Sequence, residues 1–397
     1  MQNHSVGGSV ATRFRRSSYR AAAGFGALGL VAAGVFVGIG PAGAQSVSHA
    51  NKTYLACEVT DTGGINDHSF NASAWAGMQA AVKAAPKGTT IKIKNASSTS
   101  SADYVPNING FIKAKCNIIV TVGFLMADAT WNAAIAHPSQ HFAIVDNTNG
   151  NPEDNSNTVD HCPGPTCKET APNILGLTYQ TNQDGFLGGY EAAATSKTGV
   201  VATYGGEQFS SVTIYMDGFW YGVQYYDLHR AHGAKSVKVL GWSAKTQKGT
   251  FIGSFTNTLL AKTDTTAFLN ERASTVFPVA GGDGLGTTAA VKNWNATHSS
   301  AKANVEWVDT SGCVNDAPDC SIFISSVTKG VTASVEGAVD TGAAGKFKGG
   351  DYVGTLKNKG VAFIENTKYK PAVSASVITK LKVLQNDIIS GKIKVST

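Results

Sequence analysis

The stretch YLACEVTDTGGINDHSFNASAWAGMQAAVKAAPKGTTIKIK, residues 54–94, contains the unit that recurs along the chain. It begins with an apolar segment, Tyr54–Thr60, continues through a polar turn with two glycines, and then shows a helical pattern over Ala72–Ala85 that Pro86 ends. A second apolar segment, Thr90–Lys94, follows. Strand, helix and strand in this order are typical of a parallel βαβ unit. The stretch therefore predicts an α/β fold with parallel sheets.

Apolar segments and helical patterns keep alternating to the C-terminus. The further predicted strands are Ile118–Val122, His141–Asp146, Ile174–Tyr179, Gly199–Tyr204, Ser236–Gly241, Thr275–Val279 and Val305–Val308. The predicted core-facing stripes are Trp75, Met78 and Val82 in the first helix, and Ile378, Leu381, Leu384 and Ile388 in the last. The number of predicted strands is too large for one small hydrophobic core. We therefore expect two doubly wound domains. The polar segment 147–172 is predicted to be a surface excursion between them.

The first 44 residues have the pattern of an export signal. Four arginines precede an apolar run from residue 21 to about residue 40, and Ala42-Gly43-Ala44 supplies the small residues that a signal peptidase needs. A basic region, an apolar region and a small-residue site in that order predict secretion, with cleavage after Ala44. The alternative is an uncleaved membrane anchor, because the apolar run is nearly long enough to span a bilayer. Both interpretations put the rest of the chain outside the cytoplasm.

The charge of the chain comes mainly from this signal. The whole sequence has 33 basic and 27 acidic residues, and removing the four signal arginines leaves 29 against 27, a net charge of +2. Proteins that bind nucleic acid carry a much stronger basic surface. We therefore expect no nucleic-acid partner.

The six cysteines fall into two kinds of sequence. Cys162 and Cys167 flank a short turn, and Cys313 and Cys320 bracket an Asn- and Pro-containing loop, so each pair is predicted to form a local disulfide in an exported protein. A zinc site is the alternative, but it favours closer spacing. Cys57 and Cys116 lie in or beside apolar segments 54–60 and 116–123, where we expect buried free thiols.

The polar turn after the first strand contains candidate ligand-binding residues. In doubly wound sheets ligands collect at the carboxyl ends of the strands, where Asp61 and Asn66 can offer hydrogen bonds. Ser69 or Asn71 can cap the next helix. Phe70 is an aromatic residue in a polar loop, which suits stacking on a planar ring; packing beneath the helix as a hydrophobic staple is an equal alternative.

Other strand ends carry fewer signals. Asp128 follows the third strand at a helix start, where capping is its ordinary role. The run Gly281–Gly286 follows a strand, but its spacing does not match a dinucleotide fingerprint, so we interpret it as a loop whose backbone approaches a ligand. The sequence has no phosphate loop, nucleophile elbow or zinc-protease motif. We expect no cofactor, no metal, no catalytic residues and no enzyme activity.

Seven motifs in one order resemble the basic-membrane-protein (purine-nucleoside-receptor) family of ABC-transporter substrate-binding proteins. The motifs are VTDTGGINDHSFNASAWAGMQAA (59–81), DYVPNINGFIKAKCNIIVTVGF (103–124), GLTYQTNQDGFLGGYEAAATSKTGVVATYGG (176–206), FPVAGGDGLG (277–286), WVDTSG (307–312), SSVTKGV (325–331) and GDYVGTLKNKGVAFI (350–364). The resemblance implies the type I periplasmic-binding-protein fold, in which two Rossmann-like lobes are joined by three crossovers. It places lobe 1 at residues 50–174 with 326–348, and lobe 2 at residues 175–325 with 349–397.

The resemblance also implies a ligand site. Phe70 and Tyr215 match the two aromatic positions that enclose a purine base, and tyrosine stands where the family usually has phenylalanine. Asp61 and Asn66 match positions near the base, while the positions near the ribose are matched by Asp128, Gly282, Asp309 and Lys329. An ionised aspartate suits a ribose because it accepts hydrogen bonds from vicinal hydroxyls.

The implied function is capture of a nucleoside by a monomer that presents it to an ABC permease in the membrane. Two alternatives stay open from the sequence. The ligand could be another ring-bearing solute, such as a flavin-like compound or a sugar. The chain could also be a secreted nucleoside hydrolase, which would need a group of residues that activates water. Family members often carry a lipid-anchoring cysteine after the signal, and this chain has none there.

Overall fold

The structure, a computed structural model, describes residues 52–150, 170–369 and 373–396. The predicted export signal and the predicted Cys162–Cys167 disulfide lie outside the described residues. The strands in chain order are β1 (Lys52–Thr62), β2 (Thr89–Ser98), β3 (Ile118–Val122), β4 (His141–Val145), β5 (Ile174–Tyr179), β6 (Val200–Gly205), β7 (Lys238–Leu240), β8 (Trp242–Ser243), β9 (Lys248–Gly249), β10 (Thr275–Val279), β11 (Asn304–Asp309), β12 (Phe323–Lys329), β13 (Gly350–Gly354) and β14 (Val361–Glu365). The α-helices are α1 (Phe70–Lys83), α2 (Tyr104–Lys113), α3 (Ala127–Ala136), α4 (Asn182–Thr195), α5 (Ser210–His229), α6 (Thr258–Asn270), α7 (Gly284–Thr297), α8 (Gly312–Asn315), α9 (Val331–Ala343) and α10 (Ala375–Ile389).

Two six-stranded sheets form the centres of two lobes. The first has the order β13-β5-β4-β3-β1-β2 and is parallel throughout. The second has the order β14-β12-β11-β10-β6-β7 and is parallel except for the β12–β14 pair. Each sheet carries apolar clusters on both of its faces. The α/β class with parallel sheets, predicted from the first βαβ unit, is confirmed.

The chain passes between the sheets three times, after β5, after β12 and after β13. The three passages touch one another: the Gln180 amide donates to the Gly354 carbonyl at 2.8 Å, and the Gly330 amide donates to the Gly360 carbonyl at 2.8 Å. Gly354 and Gly360 approach so closely that a Cβ atom on Gly360 would lie 2.2 Å from the Gly354 Cα atom. Only glycine fits this junction, which joins the lobes beside the ends of β5 and β12.

The division of the chain between the sheets differs from the predicted one in three places. The strands β5 and β13 pair with each other in the first sheet, whereas the sequence division assigned residues 175–179 and 350–354 to lobe 2. Residues 326–329 belong to β12 in the second sheet, although the division returned them to lobe 1. A strand belongs to the sheet of its hydrogen-bonded neighbours, and these are not encoded in its own pattern of apolar residues.

The core-facing side of α1 also differs from its predicted stripe. Met78 is fully buried, but Val82 is 39% exposed, and the core face is completed by the small residues Ala74, Gly77 and Ala81. The reason is the close approach of α9, which leaves room only for small side chains. In α10 three of the four predicted stripe residues, Leu381, Leu384 and Ile388, are buried, and Ile378 is half-buried.

The described cysteines are all paired. Cys313 and Cys320 form the predicted disulfide, with their Cα atoms 4.5 Å apart. The prediction of free thiols at Cys57 and Cys116 is wrong, because these residues form a second disulfide with a Cα separation of 6.0 Å. β1 and β3 are neighbours in the first sheet, so Cys57 on β1 comes close to Cys116, which lies just before β3.

Among the helices of the described ranges, none combines the length and apolar composition required to cross a bilayer.

The contact between α1 and α9 provides a test of the fold. A Cβ atom on Gly77 would lie 2.5 Å from the Thr332 carbonyl oxygen and 2.9 Å from Val335 Cβ. We expect Gly77→Ala to lower the free energy of unfolding by about 1–3 kcal/mol because it overpacks this contact. Gly337→Ala on the exposed face of α9 is the matched control, since its Cβ would meet open space, and it should stabilise the helix slightly. Urea unfolding measures both, and equal effects would contradict the packing described here.

Candidate functional site

The carboxyl ends of the parallel strands from both sheets face one cleft. Within each sheet all strands except β14 point the same way, and the ends of β1, β10, β11 and β12 contribute residues to the cleft lining. The cleft lining includes aromatic, acidic and glycine residues: Asp61, Thr62, Gly63, Asp67, Phe70, Asn71, Gly123, Phe124, Leu125, Asp146, Phe209, Ser211, Val212, Tyr215, Phe255, Val279, Gly281, Gly282, Asp309 and Lys329. Such a crevice at strand ends is where α/β proteins bind ligands.

A buried lysine lies at the centre of the cleft. Lys329, the last residue of β12, places its Nζ atom 2.7 Å from Asp146 Oδ2 and 3.8 Å from Asp309 Oδ1. The three side chains are between 5% and 9% exposed. Burial alone would lower the pKa of the Lys329 ammonium, but the neighbouring carboxylates of Asp146 and Asp309 raise it above its usual value. Lys329 is therefore charged and joins an aspartate from each lobe.

Both aspartates adopt an uncommon backbone conformation. Asp146, which follows β4, has a φ angle of 68°, and Asp309, at the end of β11, has a φ angle of 64°. Residues other than glycine rarely enter this left-handed region, although aspartate tolerates it better than most. Such conformations persist where the surrounding structure demands them, often at functional sites. Here they coincide with the two carboxylates nearest to Lys329.

Two aromatic rings flank the same lysine. The Lys329 Nζ atom lies 5.1 Å from the centre of the Phe70 ring and 5.2 Å from the centre of the Tyr215 ring. Phe70 begins α1 in lobe 1, whereas Tyr215 lies on α5 in lobe 2. Tyr215 is 1% exposed and packs edge-on against Phe277 at a centroid distance of 6.0 Å. One ring from each lobe thus lies beside the charged centre of the cleft, which consists of Lys329, Asp146 and Asp309.

The Tyr215 hydroxyl adds a polar contact to this aromatic pair. It donates a hydrogen bond to Asp309 Oδ1 at 3.0 Å. The Ser69 hydroxyl donates to the other carboxylate oxygen, Asp309 Oδ2, at 3.4 Å from the opposite lobe. The Asp309 carboxylate therefore has a protein donor on each oxygen.

The turn before α1 is held by Asp67. Its carboxylate accepts hydrogen bonds from the backbone amides of Ser69, Asn71 and Ala72, at distances from 2.8 to 3.0 Å. The sequence suggested Ser69 or Asn71 as the helix cap, but their side chains bond Asp309 and Asp61 instead. This cap fixes the first turn of α1, on which Phe70 projects into the cleft rather than acting only as a staple.

An aspartate and an asparagine form a second polar group in the cleft. Asn71 Nδ2 donates to Asp61 Oδ1 at 2.9 Å, and the buried Oδ1 atom of Asn71 has no protein partner. Gly123 makes room for Asp61, because a Cβ atom there would lie 2.0 Å from Asp61 Oδ2. Burial raises the pKa of Asp61 to about 8; the Asn71 hydrogen bond opposes the shift, and the charges of Asp67, Asp146 and Glu207 add to it.

Three further aromatic residues line the cleft. Phe124, directly after Gly123, stacks on Phe209 from the opposite lobe with ring centres 5.0 Å apart and planes inclined by 27°. Phe255 lies beside the glycine loop, 3.8 Å from where a Cβ atom on Gly281 would be. Together these rings make much of the cleft surface apolar, as expected for a site that holds an organic ring.

The structure brings together six of the eight predicted ligand-binding residues. Those that line the cleft are Asp61, Phe70, Tyr215, Gly282, Asp309 and Lys329. Asn66 lies in a short 3-10 turn outside the lining, and Asp128 is exposed in the first turn of α3. Neither residue is part of the cleft lining.

Several cleft residues carried no clear signal in the sequence. Asp146 is the last residue of a predicted strand, and its position at a strand end is the signal that could identify it. Asn71 has the sequence position of a helix cap, which does not reveal its place in the cleft. Phe124 and Phe209 carry no distinct signal, because an aromatic residue in a short loop does not reveal its partner in another lobe.

Known proteins resemble this chain along most of its length. The family model described as "ABC transporter substrate-binding protein PnrA-like" (Bmp) matches residues 55–397. The ABC transporter nucleoside-binding protein BmpA of Lactococcus lactis is 30% identical over 383 residues, which cover 93% of this chain and 97% of that protein. The CD4+ T-cell-stimulating antigen of Listeria monocytogenes is 27% identical over 354 residues, covering 87% and 89%.

A solved structure shares the fold. The solute-binding protein of an ABC transporter system from Aeropyrum pernix superposes with a TM-score of 0.68 at 22% identity, covering 86% of this chain and 92% of that chain. This likeness supports the two-lobed architecture.

Removal of the central lysine tests the charge network. We expect Lys329→Met to lower the free energy of unfolding by about 3–5 kcal/mol, because it leaves buried carboxylates without a counter-charge. Lys292→Met is the matched control: Lys292 pairs with Asp319 at 2.6 Å, but its side chain is 52% exposed, so solvent screens the pair and its loss should change the free energy of unfolding little. Urea unfolding at neutral pH measures both. A loss below 1 kcal/mol for Lys329→Met would contradict a buried charged lysine.

The buried Asp61 carboxyl predicts a pH dependence of stability. The pKa of Asp61 is raised to about 8 in the folded protein, whereas it is about 4 in the unfolded chain. Between these two pH values only the folded state holds the proton. The stabilisation is therefore complete below about pH 4, and the free energy of unfolding falls as the pH rises towards 8. Asp61→Asn removes this titration. Between pH 5 and pH 8 we expect the wild type to lose on the order of 3 kcal/mol more than the variant. Urea midpoints at the two pH values check this, and parallel pH profiles would refute it.

Proposed function

The chain belongs to the Bmp family of PnrA-like ABC transporter substrate-binding proteins, and on that premise we propose that it binds a purine nucleoside in the cleft between its lobes. The observation that carries the proposal is the pair of rings, Phe70 and Tyr215, that meet from opposite lobes at a buried charged centre. A nucleoside has both parts that such a site requires, a flat apolar heterocycle and a sugar with several hydroxyls.

The aromatic residues favour a planar ligand. In the proposed complex the base lies between Phe70 and Tyr215, and the stacked pair Phe124 and Phe209 closes another part of the cleft. Aromatic rings stack on planar heterocycles with little loss of side-chain freedom. Two rings on different lobes would also couple binding to closure, because the ligand contacts both only when the lobes approach.

The polar centre favours a sugar. Asp309, Asp146 and Lys329 can accept from or donate to neighbouring hydroxyl groups. The backbone at Gly282 lies on the same lining and lets a ligand approach closely, because the residue has no side chain. We assign the ribose to this group, and we assign the edge of the base to Asp61 and to the unpartnered oxygen of Asn71.

The proposed role is transport without chemistry. Substrate-binding proteins of ABC transporters deliver a ligand to a membrane permease, which agrees with the export signal predicted at the N-terminus. We therefore propose capture of a small molecule and presentation of the closed form to the permease.

Thermal unfolding with added inosine tests the proposal. A ligand present at 100 times its Kd stabilises the folded state by about 2.7 kcal/mol, so inosine should raise the melting temperature of the wild type. Phe70→Ala should abolish most of the shift because one face of the base loses its ring. Phe347→Ala is the matched control, since Phe347 stacks on His141 outside the cleft, and it should keep the shift.

Two results would count against the proposal. If adenosine, guanosine and inosine all leave the melting temperature unchanged, the ligand is of another class, and mass spectrometry of small molecules released from the purified protein would identify it. If inosine binds but Phe70→Ala and Phe347→Ala respond alike, the site lies elsewhere. Release of free hypoxanthine during incubation with inosine would contradict a role without chemistry.

A further inference from the structure

We propose that the Tyr215 hydroxyl makes the cleft tolerant of nucleosides that lack one ribose hydroxyl, so that deoxyribonucleosides bind nearly as well as ribonucleosides. This inference rests on the proposed function and goes further, because it names the residue that sets sugar selectivity. It depends on which groups already occupy the oxygens of Asp309.

The Asp309 carboxylate is provided with donors by the protein itself. Oδ1 accepts from the Tyr215 hydroxyl at 3.0 Å and lies 3.8 Å from the Lys329 ammonium. Oδ2 accepts from the Ser69 hydroxyl at 3.4 Å. Asp146, the other carboxylate of this centre, accepts from Lys329 at 2.7 Å. Asp309 and Asp146 therefore each have a protein donor without the ligand.

Discrimination between sugars depends on whether a missing ligand hydroxyl leaves a buried polar group of the protein without a hydrogen-bond partner. A site that needs a ligand hydroxyl to satisfy a buried polar group can reject the analogue that lacks it by about 10⁴–10⁵-fold, because the protein group is then left unpaired in a site without water. Where the same protein group keeps another donor, that penalty is absent. The loss is then limited to one hydrogen bond, which is worth about tenfold in Kd.

Tyr215 is positioned firmly enough to serve as that donor. Its side chain is 1% exposed and its ring packs against Phe277. The backbone around it is equally constrained, since a Cβ atom on Gly185 of α4 would lie 2.7 Å from the Tyr215 carbonyl oxygen. The hydroxyl oxygen cannot move away from Asp309 without moving the ring that is proposed to stack on the base.

The test compares the Kd values of inosine, 2′-deoxyinosine and 3′-deoxyinosine by isothermal titration calorimetry. For the wild type we expect each deoxy analogue to bind within about tenfold of inosine. In Tyr215→Phe the Asp309 Oδ1 atom loses its hydroxyl donor, and the ratio should rise above about 100-fold for at least one analogue. A ratio of Kd values is not changed by a loss of stability alone.

Tyr204→Phe is the matched control. Tyr204 is a fully buried tyrosine of lobe 2 whose hydroxyl bonds Thr287 at 2.6 Å, outside the cleft lining, so its ratios should match those of the wild type. A wild-type ratio above about 100-fold, or equal ratios in Tyr215→Phe and wild type, would overturn the inference while leaving nucleoside binding intact. Absence of inosine binding to the wild type would instead overturn the proposed function and this inference together.

Discussion

Lys329 brings an ammonium group into a part of the molecule from which water is almost excluded, and the architecture around the cleft supplies its counter-charges. An isolated buried charge costs several kcal/mol, so carboxylates must converge on it. Asp146 comes from the first sheet and Asp309 from the second, and both adopt left-handed backbone angles beside it. The lysine thereby links the lobes at the point where the two aromatic rings meet.

The connections between the lobes allow this convergence. All three passages of the chain lie together, and the glycine contacts between Gly330, Gly354 and Gly360 keep them close to the end of β12, where Lys329 lies. Because the charged centre is near the junction, small rotations about it would move the outer cleft more than the centre. Phe124 and Phe209 stack across the cleft and provide an aromatic contact between the lobes.

Much of the fold could be predicted from the sequence, because strand–helix alternation and strand-end residues are local signals. Phe70 and Asp61 were found in this way, and Tyr215, Gly282, Asp309 and Lys329 through the family resemblance. The rest depends on distant neighbours. The Cys57–Cys116 disulfide requires β1 and β3 to be adjacent, and β13 reveals its sheet only by pairing with β5. β12, with its Ser and Thr residues, lacks an obvious apolar pattern although it is buried throughout. Asn66 and Asp128 match the family positions, but local turns place them outside the lining.

The most direct test of the account is a crystal structure of the protein with bound inosine. We expect the hypoxanthine ring between Phe70 and Tyr215, and ribose hydroxyls within hydrogen-bonding distance of Asp309 or Lys329. Inosine bound outside the cleft, or inside it with either ring turned away from the base, would contradict the account.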